Sequence, residues 1–163
     1  MKWLMRGGIT LVVLIGVVLG IGTLLPVEHS ATVSRDMSAS PETVWTAVTD
    51  LPAMPQWRSG VDSIERHADV NGMPAWTETS GSENLSFETV EVTAPTLLVT
   101  QIVGEGREFG GTWTVRIEPA ASGTRVTITE DGEVYSALFR FVSRFVIGHQ
   151  ATMNRYLDDL EAY

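Results

Sequence analysis

The chain is 163 residues long, contains no cysteine, and sets 20 acidic residues against 11 lysines and arginines, a net charge of −9 at pH 7. The missing thiols exclude a disulfide scaffold and a thiolate nucleophile. The acidity excludes nucleic acid as a partner, because phosphates need a basic footprint.

From Gly7 to Val27 the chain reads GGITLVVLIGVVLGIGTLLPV, without a single charge. At about 1.5 Å per residue this run makes a helix of roughly 31 Å, the depth of a bilayer's hydrocarbon core. It predicts a single-pass membrane anchor over residues 1–27. Two alternatives stay open, a cleaved secretory signal and a buried core helix. A signal has an apolar region of about 7–15 residues and ends in small residues, whereas this longer run exits through Leu24-Leu25-Pro26-Val27-Glu28-His29. A core helix would need a polar face for water, and none is present. Gly16, Gly20 and Gly22 suit close helix packing. Lys2 and Arg6 stand on one flank, Glu28 and His29 on the other. The positive-inside rule then leaves the N-terminus in the cytoplasm and places the following domain outside the cell membrane.

Residues 28–163 form one predicted domain, large enough to bury its own core. Once Lys2 and Arg6 are assigned to the anchor, nine arginines face all twenty acidic residues, leaving −11. Anionic headgroups repel such a surface, so membrane attachment falls to the N-terminal helix.

Ser40-Pro41-Glu42 opens a helix, with a serine cap, proline at the first helical position and an acid at the positive dipole end. That helix stops near Asp50-Leu51-Pro52, and a short second one follows at Met54-Pro55-Gln56-Trp57. Asn71-Gly72 is a two-residue hairpin signal, and Gly81-Ser82, Ala94-Pro95, Gly104 to Gly106 and Ser122-Gly123 break the chain at similar intervals. Between the turns, Phe109, Gly111, Trp113, Val115 and Ile117 share one strand face, as do Val126, Ile128 and Glu130. Such spacing predicts an antiparallel meander, not a parallel βαβ sheet. Tyr135 to Ala162 contains no proline and predicts one long helix of roughly 42 Å. Its face is Leu138, Phe141, Phe145, Gly148, Thr152, Tyr156 and Leu160.

Thr32 to Trp45 (TVSRDMSASPETVW) resembles the opening of the SRPBCC superfamily, which includes START lipid-transfer domains, polyketide cyclase/dehydrase-like proteins and the birch-pollen allergen family. Asp50-Leu51 with Met54 to Trp57, Thr124 to Glu130 and Tyr156 to Glu161 continue the resemblance, which covers Ser30 to Tyr163. It implies the α+β helix-grip fold, a curved antiparallel sheet of about seven strands around a long C-terminal helix with an apolar cavity between them. Such a cavity suits a hydrophobic small molecule. The superfamily mixes carriers, receptors and enzymes, so the resemblance carries fold more than function.

Two candidates stand out for proton transfer. His149 lies on the predicted helix, and Glu130 has inward parity with Val126 and Ile128. Against these roles, a flank histidine meets solvent and a strand-end carboxylate is wet. Arg35 shares parity with Val33 and Met37, so it either pairs with Glu130, receives an anionic headgroup, or lies at the surface. Trp76, Phe87, Phe109, Trp113, Phe141 and Phe145 complete the expected ligand-lining set, core packing being the competing role for sheet aromatics. Trp45 and Trp57 pack the small helices. Gly104-Glu105-Gly106 precedes no helix and is read as turn chemistry. The histidines at 29, 67 and 149 have no ligand spacing, and no metal or cofactor is expected. No serine occupies a nucleophile elbow.

The expected function is membrane-tethered binding or transfer of a hydrophobic small molecule, such as a lipid, isoprenoid or polyketide-like compound. The alternative is a cyclase or dehydrase using a pocket acid–base pair. A docking module for a partner protein is the third class.

Overall fold

The computed structural model describes residues 2–104 and 106–163, with side chains from residue 7 onward. Met1 and Glu105, the middle of the Gly104 to Gly106 turn, lie outside the described residues. Helix α1 (Lys2–Leu24) leads through three residues into strand β1 (Glu28–Met37). Helix α2 (Pro41–Thr49), a 3₁₀ turn (Leu51–Ala53) and α3 (Met54–Trp57) come next. Six strands then meander: β2 (Ser63–Arg66), β3 (Ala75–Ser80), β4 (Glu83–Thr93), β5 (Leu97–Val103), β6 (Phe109–Ala120) and β7 (Gly123–Val134). The chain ends in α4 (Ala137–Val142), a π-helical turn (Ser143–Ile147) and α5 (Ala151–Ala162).

All seven strands join one antiparallel sheet in the order β1-β7-β6-β5-β4-β3-β2. β1 and β2 therefore occupy opposite edges, and the α2–α3 excursion carries the chain from one edge to the other. Local chemistry explains both ends of α2: the Ser40 hydroxyl accepts the Thr43 amide at 3.2 Å, and the Asp50 amide closes the last turn onto the Thr46 carbonyl. The Asn71-Gly72 turn forms as the sequence predicts. Both residues sit at positive φ (53° and 78°) inside the Val70–Met73 bridge, the geometry a two-residue hairpin requires.

The core lies between the concave sheet face and α5. Met153, Tyr156, Leu157 and Leu160, spaced three and four apart, pack against Val115, Ile117, Val126 and Ile128. Fully burying each aliphatic side chain of this set contributes about 1.5–3 kcal/mol. Trp57 belongs to this core, and Trp45 packs against it half-buried.

One expectation fails. The predicted unbroken helix over Tyr135–Ala162 is interrupted between Ile147 and Ala151. Gly148, read from spacing as a helix-face residue, has φ 80° and ψ 148°, outside any helix, and its amide closes a π turn onto the Ser143 carbonyl. Tyr156 and Leu160 are buried as expected, whereas Thr152, in the first turn of α5 beside the break, is exposed. Open space surrounds Gly148, so a larger residue there would strain the backbone and fill no void.

Helix α1 projects from this domain with most of its surface uncovered. Its C-terminal end docks on α4: a Cβ at Gly22 would overlap the Ala137 carbonyl, so glycine permits the contact. A Cβ at Gly16 or Gly20 would meet nothing within 4 Å. α1 is long and apolar enough to cross a membrane, a test that a signal sequence also passes.

Candidate ligand site on the concave face

Antiparallel register aligns side chains on one face, so the inner surface can be followed row by row. One row runs Trp76, Phe87, Ile102, Gly111, Gly132, His29 across β3, β4, β5, β6, β7 and β1. The next runs Thr89, Thr100, Trp113, Glu130, Ala31. Where α5 covers the sheet, Val115, Ile117, Val126 and Ile128 are sealed from solvent. Beyond the break at Gly148 the cover thins, and Phe87, Ile102, Phe109 and Trp113 are only half-buried. The result is a trough-like apolar strip of sheet aromatics, partly uncovered on this face.

Two carboxylates face this trough, each held by an indole. Glu130 accepts the Trp113 Nε1–H at 2.6 Å on one oxygen and His29 Nε2 at 2.8 Å on the other. Gly132 leaves room for the imidazole, since a Cβ there would lie 2.6 Å from Nε2. His149, in the hinge before α5, stacks on His29 with ring centroids 3.9 Å apart and planes at 28°. Deeper in, the buried Glu78 accepts Arg58 Nη1 at 2.5 Å and Trp76 Nε1–H at 3.1 Å. The Arg58 guanidinium lies 5.2 Å from the Tyr156 ring centroid. Tyr156 meets Trp57 and Trp113 edge to face at 5.1 and 5.8 Å, and so connects the two clusters. Burial pushes the Tyr156 phenol up to about 12, which keeps it a neutral hydroxyl.

The structure brings Glu130, Trp113 and His149 together, with Trp76 and Phe87 stacked at 5.5 Å along the same face. Phe109 shares that face near the open end. Phe141 is half-buried and pairs with Phe145 at 5.0 Å, while Phe145 itself is 59 % exposed. Arg35 does not pair with Glu130. It sits opposite Val126, four residues along β7, roughly 13 Å of strand away, and bonds Asp158 and Glu161 of α5 instead. Sequence reasoning misses His29, Glu78 and Arg58. Parity could have found the first two, because His29 alternates with Val33 and Met37, and Glu78 with Trp76. Two clefts open elsewhere: about 530 Å³ between α2 and the chain end, touching Met37, Val44 and Leu160, and about 480 Å³ beside Thr96 and Pro119. Neither reaches Trp113, Phe145 or His149.

Burial holds the His149 imidazole below its ordinary value of 6.5, and the charges of His29 and Arg144 add to this while Glu130 opposes it. A depressed histidine is bound neutral, so the stability it contributes is complete above the unfolded value of 6.5 and is lost as pH falls through the lower folded value. We expect acidification below 6.5 to loosen the hinge, read as faster amide exchange from Gly148 to Thr152. His149→Gln should flatten that dependence, and an unchanged profile would show that another group titrates.

A seven-stranded antiparallel sheet wrapped against a C-terminal helix defines a helix-grip protein of the SRPBCC superfamily. Residues 28–163 match the family described as polyketide cyclase / dehydrase and lipid transport, and the chain belongs to that family. The family couples this fold to hydrophobic-ligand binding or to cyclase-type chemistry. Solved structures agree on the fold. The di-domain ARO/CYC StfQ from the steffimycin biosynthetic pathway superposes with a TM-score of 0.69 at 10 % identity, over 84 % of this chain and 50 % of its own. The chain thus spans half the length of that protein. A Thermus thermophilus protein matches with TM-score 0.66 at 20 % identity, covering 82 % and 95 %. Norcoclaurine synthase from Thalictrum flavum matches with 0.65 at 14 %, covering 87 % and 89 %. No curated protein matches the chain in sequence.

Proposed function

We propose that this protein binds or transfers a hydrophobic small molecule of lipid, isoprenoid or polyketide-like type while tethered to the cell membrane by residues 1–27, with the 28–163 domain on the outer side. The observation that carries this reading is the half-open trough, in which Phe87, Phe109 and Trp113 are left partly uncovered beside a fully sealed core. Large apolar faces remain exposed to water only at a cost of about 25 cal/mol per Å², which an apolar ligand would remove. The few polar groups at the trough, Glu130, His29 and His149, would orient one polar end of such a ligand. The tether keeps the trough beside the phase in which these molecules dissolve.

Native mass spectrometry of the full chain released from detergent micelles tests this. An apolar species should remain bound after the micelle is stripped, and Trp113→Ala should lose it. Equal retention by Trp113→Ala would remove the trough as the site. A second reading, a cyclase-type enzyme, is favoured by the contact of His29, Glu130 and His149, which sets a carboxylate and an imidazole beside the same indole.

A further inference from the structure

Among the described residues outside α1, exposed large apolar side chains concentrate in α4 and the π turn. Leu138, Phe139, Phe145, Val146 and Ile147 are between 44 and 71 % exposed. A soluble domain seldom leaves so contiguous a patch bare unless something covers it. Three further observations say what covers it. The patch is pinned to the end of α1, where the Gly22 backbone meets Ala137. Only three residues separate α1 from β1, a reach of about 10 Å, and Glu28 at the start of β1 pairs with Glu133, four residues before α4, so α4 is held near the end of α1. The only charges between Ser136 and Gly148 are Arg140 and Arg144, in a domain whose net charge is −11. Arg140 Nε is buried without a partner, and no carboxylate pairs with either guanidinium among the described residues.

We propose that α4 and the π turn form a lipid-facing cap that lies in the membrane interface beside α1, apolar side chains among the acyl chains and Arg140 and Arg144 at anionic headgroups. The partner is a lipid surface. Interfacial helices combine the same elements, an apolar face for the acyl boundary and arginines for the headgroups. With the cap at this depth, the trough opens toward lipid instead of water, and an apolar ligand need not cross an aqueous gap. The inference rests on the membrane-tether reading above.

The absence of cysteine allows a clean labelling test in the full chain. Single cysteines at Val146, at Val13 in α1 and at Ser82 in the β3–β4 turn are coupled to an environment-sensitive fluorophore. The protein is reconstituted in phosphatidylcholine vesicles containing a minority of phosphatidylglycerol. The Val146→Cys label is expected to be quenched by a doxyl group on the lipid at least several-fold more than the Ser82→Cys label, and to be shielded from aqueous iodide. Iodide quenching equal to that of Ser82→Cys, with Val13→Cys still quenched by lipid, would overturn the cap and leave the tether standing. Protection of Val146→Cys from both quenchers would mean that protein covers the patch, which also overturns it. Failure of lipid to quench Val13→Cys would remove the tether and the cap together.

Discussion

Replacing Arg58 by methionine is expected to lower stability by about 3–5 kcal/mol, the usual result of leaving one member of a buried ion pair alone. Glu78 is only 8 % exposed, and Arg58 supplies its charged donor, leaving the Trp76 indole as the remaining partner. Methionine preserves much of the aliphatic stem, so the loss reports the charge and the guanidinium's position over Tyr156 more than packing. At this domain size the change should lower the midpoint of thermal unfolding by roughly 10 °C or more. Arg58→Met with Glu78→Leu should recover most of it, because the unpaired carboxylate is gone. A shift of less than about 1 kcal/mol in the single variant would mean that water reaches Glu78 and offsets part of the desolvation.

The other large effect separates carrier from enzyme. Glu130→Gln retains the shape of the carboxylate, and its amide oxygen can still accept the Trp113 N–H, but it cannot act as a base. His149→Ala removes the stacked ring. If the protein is a carrier, each substitution costs about 0.5–1.5 kcal/mol in ligand affinity, the range for one hydrogen bond. If it is a cyclase or dehydrase, removal of the acid–base pair lowers turnover by about 10²–10⁴-fold. Incubation with polyketide-like and isoprenoid compounds, followed by product mass analysis, reads both. A cyclised or dehydrated product that vanishes in either variant would replace the carrier reading with the enzyme one. The same assay should include His29→Gln, since His29 shares a hydrogen bond with the Glu130 oxygen that Trp113 leaves free.

Much of the architecture is encoded over short stretches. Ser40-Pro41 caps a helix, Asn71-Gly72 reverses the chain, and alternation in 109–117 and 126–130 assigns strand faces, because each depends on neighbours within a few positions. The inward parity of Glu130 and the apolar run of α1 belong to the same class. What local pattern cannot carry is the relative placement of separate segments. A three-to-four spacing runs from Leu138 to Leu160, yet the helix divides at Gly148. A residue without Cβ takes a positive φ at little cost, and the apolar residues on nearly every side of 138–147 favour no single buried face. Arg35 has the parity of the inner face, but the strand length between it and Glu130 gives it to Asp158 and Glu161. His29 joins Glu130 only because β1 pairs with β7 a hundred residues later in the chain, and Glu78 receives Arg58 only because the α2–α3 excursion crosses the sheet. Sequence alone determined the elements, their faces and the apolar N-terminal helix, since those derive from local backbone and hydrophobic preferences. Tertiary structure decided which charges meet and where the trough is left open, since those derive from long-range register and from where a helix stops.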